Sequence, residues 1–387
     1  VAQQQFLVVG AGIAGLATAV ALQRRGHHVT VLESRSEVTS GAGISIWPNA
    51  LAALDHIGLG DAVRESGGRV TAGALRWSDG TWLRRPSRER LVKALGEPLV
   101  VIRRSVLNDL LAGALASDTL ETGVTAKDIQ FTADGVRVTL SDSTTRRADA
   151  VVGADGTHSV VARYLNGPLT NRYAGYTAWR GIADVAIDPD LAGETLGAGR
   201  ECGHVPLGAD HTYWFATERT PEGQVAPQGE LAYLQRTFGS WAEPLPKLLT
   251  ATNPDIVLRN DLYDREQARV WSKGPTVLVG DAAHPMRPHL GQGGCQGLED
   301  AAILACFVDQ CSDLAAAFDR FASFRRPRVR ALVRESAIIG RVVNLRPAFL
   351  SAAASRATAL VPEAVLTRHL ATVASRSAFK PPTSASA

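Results

Sequence analysis

Cysteine is scarce in this chain. Its 387 residues include only four, Cys202, Cys295, Cys306 and Cys311. None forms a C-x-x-C pair, so a disulfide-stapled scaffold is excluded and a reduced, cytoplasmic protein is expected. An excess of charge is also missing. The 41 basic residues nearly balance 38 acidic ones, for a formal net charge of +3, and without a long basic block there is no footprint for nucleic acid. No apolar run reaches the roughly twenty residues that span a bilayer, so integral membrane association is not expected. The apolar stretch Phe6 to Val9 begins almost at once, leaving no room for an export signal. His284, His289 and Cys295 lack the further carboxylate or cysteine pairing of a zinc site, so no metal is expected. No internal repeat is visible.

What is present is an ordinary globular balance, with 45% hydrophobic and 20% charged residues, in a chain long enough for two domains. Residues 6–9 read as a strand, Ile13 to Arg25 as a helix and His28 to Leu32 as a second strand, a βαβ opening. A buried strand (98–102) precedes an amphipathic helix from Val106 to Leu115, then come alternating strands near 128–140. The sheet resumes at Ala148 to Gly153 and Thr276 to Gly280. The expected class is α/β, with a Rossmann-like nucleotide domain from segments 1–71, 97–165 and 268–330. A second α+β domain on an antiparallel sheet takes 72–96 and 166–267, where patterns such as HTYWFA (211–216) alternate. Gly294 to about Val342 reads as helical. Residues 331–376 form a C-terminal helical segment, read as packing over the nucleotide domain in preference to serving as a membrane-surface helix. Residues 377–387 are expected to be a disordered tail.

The sequence VVGAGIAGLATAVALQRRG places Gly10, Gly12 and Gly15 in G-x-G-x-x-G register between strand and helix, with Glu33 ending the next strand. One glycine permits the tight turn, the second lets backbone N–H groups reach a pyrophosphate, and the third lets helix and strand pack closely. The Glu33 carboxylate suits ribose hydroxyls and repels a 2′-phosphate, which disfavours NADP here and leaves FAD or NAD. A turn serving packing alone is the competing reading of the glycines.

Three ordered motifs carry a resemblance. They are the glycine motif with Glu33, the segment VVGADGTHSVVAR (151–163), and VLVGDAAHPMRPHLGQGGCQGLEDA (277–301). GAGISIWPNALAAL (41–54), IRRSVLNDLL (102–111) and YTAWRG (176–181) support them. Over about its first 330 residues the chain resembles the single-component FAD-dependent aromatic hydroxylases, with the para-hydroxybenzoate hydroxylase type of fold. The branch is that of salicylate hydroxylases, urate hydroxylases and zeaxanthin epoxidases. The resemblance implies FAD as cofactor, NADH or NADPH as reductant, and O2 as co-substrate. The reaction would be hydroxylation of a small aromatic or heteroaromatic molecule through a C4a-hydroperoxyflavin.

Residue by residue, the resemblance places Gly10, Gly12, Ala14, Gly15, Glu33 and Arg35 at the adenosine end, and Arg104 near the flavin phosphate or ribityl chain. Asp155 lies by the pyrophosphate, and Asp281 at a ribityl hydroxyl. Ala162 stands where the family has arginine, with Arg163 one place later. Pro288, Gly291, Gly293 and Gly294 open a helix whose N-terminus would face the flavin pyrimidine edge and favour its anionic reduced form.

The flavin carries the difficult chemistry, so the protein must exclude water and orient the substrate. A base or positive neighbour would activate a phenolic substrate. His289 and Arg287 are the catalytic candidates. Trp179, Arg180, Tyr213 and Trp214 are candidates for the substrate pocket, with sheet packing the competing reading for the two tryptophans. The urate hydroxylases carry an acidic residue where this chain has His289, which argues against urate. Halogenases are disfavoured because W-x-W-x-I-P is absent. An epoxidase acting on an isoprenoid or polyketide, and a flavin protein without hydroxylation, remain alternatives. Oligomeric state stays open, a homodimer included.

Overall fold

The computed structural model describes residues 3–36, 42–132 and 135–382. Residues 383–387 of the expected tail, and Gly41 of the quoted stretch, lie outside them. The strand Gln5–Val9 (QFLVV) is buried along nearly its whole length, because parallel neighbours flank it on both sides and helices cover its faces. The sheet runs Ser272–Lys273, Thr276–Leu278, Ala150–Gly153, Gln5–Val9, His28–Glu33, Leu120–Thr122. All neighbours are parallel except the edge pair Ser272–Lys273 with Thr276–Leu278. Segments more than a hundred residues apart thus complete one sheet, as the two late apolar strands led one to expect.

The helix Ile13–Gln23 (IAGLATAVALQ) is apolar and built of small residues, so it packs closely against the late helix Gly293–Gln310. A Cβ at Gly297 would come within 3.0 Å of Ala14 Cβ, and one at Gly280 within 2.8 Å. Leu16, Val20 and Leu22 are at most 2% exposed, each worth about 1.5–3 kcal/mol of burial. The run 98–102 forms the strand Leu99–Arg103, but in a separate small antiparallel sheet with Gly43–Ile46 and Gly68–Val70. The next helix starts at Arg104 rather than Val106.

The second large sheet has seven strands, ordered Leu258–Arg265, Asn171–Ala183, His211–Glu218, Arg200–Leu207, Gly193–Gly197, Ala74–Trp77, Trp82–Arg84. It is antiparallel except where Gly193–Gly197 runs parallel to Ala74–Trp77. Successive side chains point to opposite faces. One face carries Trp179, Trp214 and Cys202 against the helices Glu230–Phe238 and Leu245–Thr250; the other carries Ala178, Arg180, Tyr213 and Phe215 toward a cavity.

The expected C-terminal helical run is divided. After Gly293–Gln310 the chain restarts at Leu314–Val343, where Asp313 accepts from Ala315 N and Ala316 N at 3.1 and 3.3 Å, an N-cap that stops one helix and starts the next. Shorter helices follow at Ala348–Ala357 and Glu363–Ala374. The start of the expected tail is corrected: Phe379 is only 8% exposed and sets its ring edge-on to His56 at 5.9 Å, so apolar burial orders the chain to that point. Among the described residues no helix is long and apolar enough to cross a membrane.

Candidate functional site

The opening turn has the geometry that a pyrophosphate needs. Gly10 has φ +103°, and a Cβ there would meet the Ala154 carbonyl oxygen at 2.5 Å; one at Gly15 would meet the Gly10 carbonyl oxygen at 1.9 Å. A Cβ at Gly12 would meet nothing within 4 Å, and Gly12 caps the helix Ile13–Gln23, whose first N–H groups have no intrahelical partner. Two glycines are therefore required by packing, and the middle one leaves a cradle open at a helix N-terminus. Glu33 accepts from Ala11 N at 2.8 Å and from Arg35 N at 2.9 Å, which holds its carboxylate beside the turn. Ala14 faces Gly280 and Gly297, so its small side chain serves the contact of two helices.

Asp155 turns inward. Its carboxylate accepts from the Ser159 hydroxyl and from Val160 N at 2.6 Å, beside the start of the helix Val160–Asn166 that Ser159 caps, and burial pushes its pKa up. The side chain thus shapes the loop that leads into this helix. Ala162 is fully buried beneath that loop, while Arg163 donates to the His158 carbonyl at 2.8 Å.

Past the turn lies a cavity of about 370 Å3 between the late helix and the seven-stranded sheet. Arg104, Asp281, Pro288, Gly291, Gly293 and Gly294 line one side. Asp281 is exposed on the cavity wall, and desolvation by the surrounding protein raises its pKa against the pull of His284 and Arg104. Burial likewise lowers that of Arg104 against the pull of Asp281. Gly291 has φ +61°, a left-handed turn that lets Gly293 begin the helix against the cavity.

The opposite side is formed by Arg180, Tyr213, Phe215, Thr217, Glu194 and Glu201, with Arg287 and His289 at the rim. Burial raises the pKa of Tyr213, offset in part by Arg180, and Arg180 donates to Asn260 at 3.0 Å. The Arg287 guanidinium is bound to Asp264, 2.8 Å at the nearer oxygen from Nε, and lies 5.5 Å over the Tyr176 ring. The imidazole of His289 is 1% exposed; Nε2 is 2.8 Å from Tyr176 Oη, and Nδ1 stands 3.1 Å from Glu201 Oε1 at an angle outside hydrogen-bond geometry. Tyr176 is itself buried, which raises its pKa, with Arg287 opposing.

Two expected pocket residues are not there. Trp179 Nε1 donates to Glu230 at 2.6 Å and Trp214 Nε1 to Thr252 at 2.9 Å, on the far face of the sheet, because each is one residue out of phase with Arg180 and Tyr213. Three residues that sequence reasoning did not single out are central: Glu194, Glu201 and Tyr176. Alternation along 193–204 could have flagged the two acids, since both fall on one face once the turn at 198–199 sets the pairing Leu196 with Glu201.

The chain matches the FAD binding domain family over residues 3–336. It is 37% identical to the aurachin C monooxygenase/isomerase of Stigmatella aurantiaca, over 89% of this chain and 90% of that one. It is 33% identical to an FAD-dependent urate hydroxylase of Klebsiella pneumoniae, over 84% and 87%. The crystal structure of Klebsiella pneumoniae HpxO complexed with FAD and uric acid superposes with a TM-score of 0.90 at 29% identity, covering 95% of this chain and 96% of that one. The open cradle at Gly12, the acid at Glu33 and the cavity-facing helix end at Gly293 fit that cofactor, and the chain belongs to the FAD binding domain family, among its FAD-dependent monooxygenases.

Proposed function

We propose that the protein uses NADH or NADPH and O2 to hydroxylate a small aromatic or heteroaromatic molecule held in the 370 Å3 cavity. One observation carries the reading. One cavity has a helix N-terminus with Asp281 and Arg104 on one side, and a sheet face with Tyr213, Phe215 and Glu194 on the other. Relatives named for urate and 3-amino-4-hydroxybenzoate support an aromatic or heteroaromatic substrate.

Gly12 and the first turn after it would hold the pyrophosphate, Glu33 and Arg35 the adenosine, and Arg104 and Asp281 the ribityl end. Gly293 and Gly294 present backbone N–H groups where the redox ring would lie. When bound, the flavin supplies hydride acceptance and oxygen activation. The chain's own residues do the rest. Ile44, Phe215 and Met286 line the space with apolar atoms, and excluding water there keeps reducing equivalents from being lost as H2O2. Tyr213 and Arg180 orient the substrate from the sheet. His289 bonds Tyr176 through Nε2 and faces Glu201 through Nδ1, and Arg287 fixes Tyr176 from the rim.

The test is to load the protein with FAD and follow NAD(P)H consumption, O2 uptake and H2O2 release across phenols, pyridones and quinolones. At least one compound is expected to raise O2 uptake with little H2O2. Complete uncoupling with every compound would overturn the reading in favour of a flavin protein that does not hydroxylate. With a coupled substrate in hand, His289→Ala is expected to release more H2O2 per NAD(P)H and to change the pH profile; an unchanged profile would remove His289 from the mechanism.

A further inference from the structure

Glu194 differs from every other charged side chain on the sheet side of the cavity. Glu201 beside it accepts from the Thr217 hydroxyl at 3.0 Å and faces His289. Arg180 is held by Asn260, and Arg287 by Asp264. Glu194 lines the cavity and, among the described residues, receives no hydrogen bond. Glu194 is half-buried; a carboxylate partly withdrawn from bulk water without a donor is costly, and a ligand that brings one recovers that cost. The geometry points to Glu194 as the residue that selects the substrate, its carboxyl group receiving an N–H or phenolic O–H on the edge of a flat ring, so that a substrate presenting a carboxylate at that edge is rejected. This rests on the proposed hydroxylase reading of the same cavity and narrows its substrate class.

The groups around Glu194 set how the preference should depend on pH. Glu201 on the strand Arg200–Leu207 and His289 in the turn at 288–290 act on it through their charge. Cys202, Arg76 and His204 lie on the opposite face, where Arg76 donates to the Glu243 carbonyl and His204 pairs with Thr195. Burial first, then the Glu201 charge, push the Glu194 pKa up to about 7, with His289 opposing. Below that value Glu194 carries its own proton and has less to offer a donor; above it the bare carboxylate accepts.

The experiment measures binding of three pairs to the FAD-loaded protein by calorimetry: 2-quinolone, 2-pyridone and phenol, each against its N- or O-methylated partner. The intact protein is expected to bind at least one donor compound about tenfold or more tightly than its methylated partner, the scale of a hydrogen bond to a charged group. The ratio should grow as pH rises through 7. In Glu194→Met the ratio should fall to near one with FAD content retained. In Glu194→Gln, which keeps an amide acceptor, it should persist in part but lose its pH dependence. If no donor compound outbinds its partner, or if Glu194→Gln keeps the same pH dependence, the assignment is overturned. O2 uptake by the same preparation is scored separately: its absence with all six compounds speaks against hydroxylation, not against the binding preference.

Discussion

A glycine can be needed for what it touches or for what it leaves empty, and the opening turn holds both kinds. Gly15 is pressed to within 1.9 Å of the Gly10 carbonyl by any added Cβ, whereas at Gly12 the same atom meets open space. Gly15→Ala is therefore expected to destabilise the FAD-free protein by about 1–3 kcal/mol, as overpacking does, seen as a lowered Tm. Gly12→Asp should leave that Tm unchanged or higher, because aspartate is a favoured N-cap, yet abolish FAD retention by placing a carboxylate against the pyrophosphate. Flavin absorbance after gel filtration distinguishes the two, and FAD retained by Gly12→Asp would remove the cradle assignment. The same scale shows where sequence was mute. Trp179 and Arg180 are neighbours, but one anchors the sheet to Glu230 and the other lines the cavity, and only the strand's phase relative to the core decides which.

Among the elements, the contact of the late helix with the long helix Leu314–Val343 rests on a buried charge cluster. Arg325 donates to Glu299 at 2.6 Å and to Asp300 at 2.7 Å, with all three side chains at most 1% exposed. Asp300 also accepts from Gly280 N at 2.8 Å and meets His284 Nε2 at 2.6 Å, so the cluster reaches the turn that sets Asp281. Burial pushes both carboxyl pKa values up. The attraction of Arg325 and Arg328 on Glu299, and of His284 and then Arg325 on Asp300, outweighs it and holds both low. Carboxyl groups depressed on folding add stability above their unfolded pKa near 4, and that stability is lost as pH falls through the folded values. Arg325→Met should cost about 3–5 kcal/mol by leaving buried carboxylates short of their cation, and its acid unfolding, followed by circular dichroism, should begin at higher pH. An unchanged acid midpoint would mean that the pairing adds nothing. The helical periodicity of this region was legible; the cluster was not, because its partners lie 25 and 26 residues apart on different helices.

For the whole molecule, the late helix and the seven-stranded sheet meet across the cavity, and the expected cofactor would run from Gly12 to Gly293. A ligand that binds only the folded state raises stability by mass action, by about 2.7 kcal/mol at a hundredfold excess over Kd. Removing FAD is accordingly expected to lower Tm, with the value rising again as FAD is titrated back. A Tm indifferent to FAD would contradict a site built across the fold. Phe379 belongs to this scale too, since it packs into the main core and sets its ring against His56.

Composition and spacing by themselves determined the βαβ opening, its glycine turn and the late glycine-led helix, because each rests on backbone conformations local to a short run such as 6–33 or 277–297. The tertiary structure alone decided that Trp179 and Trp214 leave the cavity, that Asp155 turns its carboxylate to the Ser159 hydroxyl and Val160 N, and that Glu194 stands without a donor near Glu201 and His289. Those outcomes depend on strand register and on which distant elements meet, and a pairing between residues ninety positions apart leaves no mark in local pattern.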